Sequence, residues 1–223
     1  MSEQSDATDD MRRLDTIRYG TRALHTALEP LWDELPDPSS RRELVIRGFA
    51  NIVRHHVVAQ LVLVQRELDV SAAALVRPTY EALLRVIWSM RGADEDWITQ
   101  FLTPNDAALA SGGETRMGPD VATMLKAIAV QHPAEIHAPL LAMKEATWRA
   151  MHSYVHGGIR PLVQSFAPFP HKEAGSLLRN ANGMLFLATN AVRMAHGLRS
   201  PMLPTLQAQF ADCLPSIEVH EGP

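Results

Sequence analysis

The sequence is short of the residues that most often announce a chemistry. Among 223 residues there is one cysteine, Cys213. That excludes an internal disulfide and any multi-cysteine metal site, and it fits a reducing compartment. The opening Met1-Ser-Glu-Gln-Ser-Asp6 has neither the basic start nor the apolar stretch of a signal peptide. The longest apolar run, over residues 57–64, falls far below the roughly 20 residues that span a bilayer. These absences predict a soluble cytoplasmic protein with no membrane partner. There is no glycine-rich phosphate loop, no nucleophile elbow and no H-E-x-x-H motif. Lysine is scarce too: Lys126, Lys144 and Lys172 are the only ones, and arginine supplies the other basic side chains.

Charge of either sign is also not in excess over most of the chain. The formal net charge is −4, from 25 acids and 21 bases. Glu3, Asp6, Asp9 and Asp10 stand in the first ten residues with no base. Taking those four from the 25 acids leaves 21, equal to the bases. A balanced remainder argues against a broad electrostatic footprint for long nucleic acid, DNA included, and leaves room for a small basic site.

What is present is apolar periodicity. Hydrophobic residues make up 46% of the chain, enough for a sizeable core. Residues 1–9 are polar and acidic and read as a disordered tail. From residue 10 to 34, Leu14, Ile17, Leu24, Leu28, Leu31 and Trp32 recur at helical spacing. Pro36 and Pro38 end that helix, and Ser39 or Ser40 caps the next. Residues 41–68 are rich in β-branched residues, which favour strands. Their apolar pattern nevertheless runs too long without a turn signal for one strand, so a helix is predicted.

Further helices are expected over residues 72–91, with a kink or later start at Pro78, and over 95–102, 120–131, 133–156, 172–198 and 201–214. Loops are expected over residues 103–119 and 160–171, both rich in proline or glycine. The expected organisation is an all-α helical bundle of about five main helices. It is a single domain over residues 10–214, followed by a flexible tail over 215–223.

The chemistry concentrates at the end of the 133–156 helix. Arg149, His152, Ser153 and His156 share one face, because a helix turns about 100° per residue. Gly157-Gly158 stops the helix directly after them. Leu141, Trp148, Met151 and Val155 form the neighbouring apolar stripe, and the four tryptophans are expected to pack the core. An imidazole and a guanidinium on one face could activate a 2′-hydroxyl and hold a phosphate, as metal-independent RNA cleavage requires. The same spacing also describes a helix end with an exposed arginine.

His152 and His156, at i, i+4, could share a metal, with His55, His56, His132 or His137 as a third ligand. Without a dedicated motif no metal and no cofactor is predicted. Arg77 and Glu81 stand at i, i+4 on an earlier helix, with Arg85 a turn on. They form either a plain helix ion pair or a clamp that orients groups from another helix.

Two segments together carry a resemblance. Leu75-Val-Arg-Pro-Thr-Tyr-Glu-Ala-Leu-Leu84 and the later His152-Ser-Tyr-Val-His-Gly-Gly158 resemble a bacterial family of uncharacterised all-helical proteins. Its signatures are R-x-x-x-E on one helix and an S-x-x-x-H-G-like helix end on another. That family is similar in layout to the HEPN superfamily (higher eukaryotes and prokaryotes nucleotide-binding), many of whose members are RNases of toxin–antitoxin and phage-defence systems. Arg149 and His156 match the Arg and His of the RNase motif at its widest spacing, with Ala150 where those RNases usually carry a polar residue.

The resemblance implies an HEPN-like fold and a metal-independent endoribonuclease. In it His156 and Arg149 are catalytic, and Arg77, Glu81, His152 and Ser153 form the supporting pocket. It further implies RNA as substrate, a homodimer and a protein partner such as an antitoxin. The alternative is a non-catalytic helical module that binds a protein or small ligand through the same pocket.

Overall fold

The computed structural model describes residues 2–103 and 118–215, with side chains from residue 8 onward. Every regular element among these residues is helical, and none is a strand. Helix α1 covers Ser2–Asp33, α2 Arg41–Gln65, α3 Asp69–Ala74, α4 Val76–Arg91 and α5 Glu95–Leu102. They are followed by α6 over Val121–Gln131, α7 over Ala134–Val155, α8 over Ile159–Gln164, α9 over His171–Ala195 and α10 over Leu203–Gln209. A short 3₁₀ turn, Ala211–Cys213, comes last. Among the described residues α1, α2, α4, α7 and α9 are the long helices, and short pieces connect them.

Side-chain caps set the starts of α2, α5 and α6. Ser40 caps α2 by accepting from the Glu43 backbone N–H, while the Glu43 carboxylate reaches back to the Ser39 N–H at 2.7 Å. This reciprocal arrangement satisfies two of the N–H groups that a helix start leaves unpaired. Asp94 and Asp120 cap α5 and α6 in the same way. The β-branched run in α2 is helical, as its length predicts.

Helix α1 begins at Ser2 rather than near residue 10. Acidic residues near a helix start favour the dipole there. Asp9 and Asp10 also face Arg12 and Arg13 one turn on, at 3.6 and 4.0 Å.

One reading of proline needs correction. Residues 160–171 are not wholly loop, since α8 occupies Ile159–Gln164 with Pro161 in its first turn. Pro139 lies inside α7, five residues after its start. The expected loop over residues 103–119 and the tail from 215 lie mostly outside the described residues.

The core is built by α1, α2, α4 and α9, which pack against one another along their lengths. Helix α4 is the most deeply set: Tyr80, Leu83, Leu84 and Val86 are inaccessible to solvent. Helix α7 lies outside this group, against α3, α4 and α6. It buries only Leu140 and Met151 fully. One hydrogen bond fixes its height on α4, from the buried Tyr80 hydroxyl to the Leu140 carbonyl at 2.8 Å. Among the described residues no helix is long and apolar enough to cross a membrane.

Candidate functional site

The Tyr80–Leu140 contact brings the first turns of α4 beside the last turns of α7. Leu75 separates α3 from α4, so Arg77 and Pro78 fall in the first turn of α4. Proline costs little there, because its missing N–H would be unpaired anyway. The result is that Arg77 projects from a helix start towards α7.

Its guanidinium is held on several sides. The Nε–H donates to Glu81 Oε1 at 2.9 Å, one turn along α4. One terminal nitrogen, Nη1, lies 3.0 Å from His152 Nδ1 and 3.0 Å from His156 Nε2. The guanidinium carbon stands 4.8 Å from the centre of the Trp148 ring, within cation–π range. Arg85 approaches Glu81 from the next turn, at 3.9 Å. All three charged side chains are between 16% and 26% exposed, so the ion pairs are partly screened.

Arginine only donates, so an imidazole nitrogen that hydrogen-bonds Nη1 must accept. The rings are 4.4 Å apart at an angle of 49°, and both residues are exposed to solvent. Two imidazoles held by one guanidinium can accept a proton, donate one once charged, and bind an anion between them.

Ser153 and Arg149 stand differently. The Ser153 hydroxyl accepts from the Arg160 N–H at 3.3 Å, so it joins α7 to α8 and bonds neither histidine. Arg149 is exposed and makes no hydrogen bond or ion pair among the described residues. The arginine in contact with the histidines is thus Arg77.

Trp148 was expected to serve the core alone. It does pack against the core, but it also presents its ring to Arg77 and, at 5.8 Å, to the Lys144 ammonium. The signal was there in the spacing. Lys144, Trp148, His152 and His156 form an unbroken i, i+4 ladder on α7.

Nearby, the Tyr154 hydroxyl donates to Gln164 Oε1, and burial pushes this phenol above its ordinary value. Burial raises the Tyr80 phenol as well, so both remain neutral donors. Of the other histidines, His56 and His132 are partly buried and held below their ordinary value, mainly by desolvation. Among the described residues no three His, Cys, Asp or Glu side chains stand as a metal-ligating group. Two clefts, one between α2, α4 and α9 and one beside Tyr19 and Phe210, are lined by none of the site residues.

A model of a family of unknown function, DUF6988, matches residues 50–216, and the chain belongs to that family. The matched region contains both Arg77-x-x-x-Glu81 and the His152–Gly158 segment. No curated protein matches the chain, and no solved structure matches it.

Proposed function

We propose that this chain is an HEPN-like endoribonuclease of the bacterial toxin or phage-defence type that cleaves RNA without a metal. The observation that carries the reading is the Arg77 guanidinium shared by two exposed imidazoles. RNA cleavage needs a base for the 2′-hydroxyl, an acid for the leaving oxygen and a cation for the phosphate. His156 takes the 2′-hydroxyl proton while the 2′-oxygen bonds to phosphorus. His152, once it has taken a proton from water, delivers it to the 5′-oxygen as the bond from phosphorus breaks, and a cyclic phosphate remains. Arg149, exposed on the same helix and without a partner there, meets the phosphate from outside. Arg77, fixed by Glu81 and Trp148, orients the rings.

The working form is proposed to be a homodimer. Helix α2 leaves Leu44, Ile52, Val58 and Val62 each 40–50% exposed along one side. A run of exposed apolar residues beside the site, from Val155 through Ile159, Leu162 and Val163 to Phe166, favours a second reading. In that reading the same face docks a protein partner such as an antitoxin, and no chemistry occurs.

The test is incubation of a mixed RNA pool with the full chain in EDTA, comparing wild type with His156→Ala and Arg149→Ala. Cleavage by wild type alone, with each variant about 100-fold slower or worse, is the expected result. Loss of all cleavage in EDTA would refute the metal-free mechanism. Equal rates in the three proteins would remove these residues from it. Silence from a folded wild type would select the binding module.

A further inference from the structure

We propose that Arg77, His152 and His156 form a proton-coupled receptor for a tetrahedral oxyanion of the phosphate class. The inference rests on the same site as the nuclease reading, but it does not require that anything be cleaved.

The argument begins with the hydrogens of one guanidinium. Arg77 commits Nε–H to Glu81 and directs Nη1 at two ring nitrogens. Its other terminal nitrogen makes no hydrogen bond among the described residues. The edge between the two terminal nitrogens is the fork that grips an oxyanion in two-pronged fashion. An anion docking there takes one Nη1 hydrogen and one hydrogen of the other terminal nitrogen, so one imidazole must give up its donor.

The released ring then faces the oxyanion with a lone pair. Two acceptors a hydrogen-bond length apart repel, and a proton placed on the ring turns that repulsion into a charge-assisted bond. Anion binding and proton uptake are therefore one event. The filled site holds one cationic ring against the anion, while the other ring keeps its bond to Arg77.

The neighbouring charges permit this exchange. On α4, Glu81 stays with Arg77 and offsets its charge, with Arg85 behind it. On α7, Lys144 lies over Trp148 and Arg149 is exposed, so both add positive potential for an incoming anion. Helix α3 carries one ionisable group, Asp69, which is buried and interacts with Arg18, Glu67 and His171. Helices α6 and α8 carry Lys126 and Arg160, and neither side chain bonds a ring. No carboxylate bonds either imidazole, so the proton that a ring gains is matched by the anion.

Sulfate is the probe, because it stays a dianion from pH 5.5 to 8 and any pH dependence must come from the protein. Calorimetric titration of the full chain is expected to show affinity rising about tenfold or more from pH 8 to pH 6. The apparent heat at pH 6 should differ between buffers of unlike ionisation enthalpy, which counts the protons taken up. His152→Gln with His156→Gln should flatten the pH dependence, and Arg77→Ala should abolish binding. His55→Gln, exposed on α2 and outside the site, should behave as wild type.

Sulfate affinity that does not change with pH would overturn the proposal. So would a pH dependence that survives in the double glutamine variant, or no binding by the folded wild type. Proton-linked sulfate binding by a protein that cuts no RNA would uphold the receptor and retire the nuclease. Cleavage without proton-linked binding would do the opposite.

Discussion

An alanine at position 158 would place its Cβ over the Ser153 hydroxyl, with the Ser153 Cα and Cβ only 3.1 Å away. The hydroxyl could rotate aside, but Ser153 Cα belongs to the last turns of α7 and cannot. Gly158 itself has φ −70°, which any residue adopts, so the penalty is contact and not backbone strain. Overpacking of this kind costs about 1–3 kcal/mol. Gly157 is the reverse case. Its φ is +64°, and a Cβ there would meet nothing within 4 Å, so alanine costs about 1 kcal/mol through strain alone.

The two origins separate in the Ser153→Ala background. Removing the hydroxyl forfeits the 3.3 Å bond from Arg160 N–H, worth about 0.5–1 kcal/mol. It also removes the worst overlap with a Cβ at 158 and leaves the 3.1 Å contacts in place. Gly158→Ala should therefore cost about 0.5–1.5 kcal/mol less in that background, while Gly157→Ala should cost the same in both. Urea unfolding of the single and double variants measures this directly. Additivity of 153 and 158 to within about 0.3 kcal/mol would refute the packing account of this helix end.

Tyr80→Phe should lower stability by about 1 kcal/mol, because the buried Leu140 carbonyl loses a donor while the ring still fills its place; a thermal melt shifted by several degrees checks it. Stability should fall on acidification below about pH 6.5. His25 is half-buried, bonded to Asn182 at 3.1 Å, and held below its ordinary value of 6.5 chiefly by desolvation. The unfolded chain thus takes up a proton that the folded one resists, at up to about 1.4 kcal/mol per pH unit until the folded ring also titrates. Urea midpoints at pH 7.5 and 5 should differ less in His25→Gln than in wild type, and a protein more stable at pH 5 would contradict this. Light scattering at micromolar concentration should give about twice the 24.7 kDa chain mass, and Ile52→Glu on the exposed side of α2 should return it to monomer.

Prolines explain why some helices were legible in the sequence and one was not. Pro78, Pro161 and Pro204 all stand in the first turn of a helix, α4, α8 and α10 respectively. At Pro78 the apolar pattern of the following residues was strong enough to carry the helix through. Around Pro161 there is no such pattern, because α8 buries no side chain, and periodicity records burial and nothing else. The α2 run is the converse case. Its β-branched composition suggested a strand, and 25 residues of one-sided burial outweighed it.

The site divides along the same line. That Arg149, His152 and His156 share a face follows from 100° per residue, and the chain alone tells it. Which flank of that face meets α4 does not follow, because Arg77 lies 75 and 79 residues from the two histidines it touches. The answer depends on rotation. Helix α7 turns so that Leu140 and Met151 point inward and the Tyr80 hydroxyl pins Leu140. With α7 fixed in that rotation, the Lys144–Trp148–His152–His156 ladder comes beside α4. Position 149, about 100° round from Trp148, is left in solvent. If that rotation is set by Tyr80 and Leu140, changes there should disturb the Arg77–imidazole contacts although neither residue touches them.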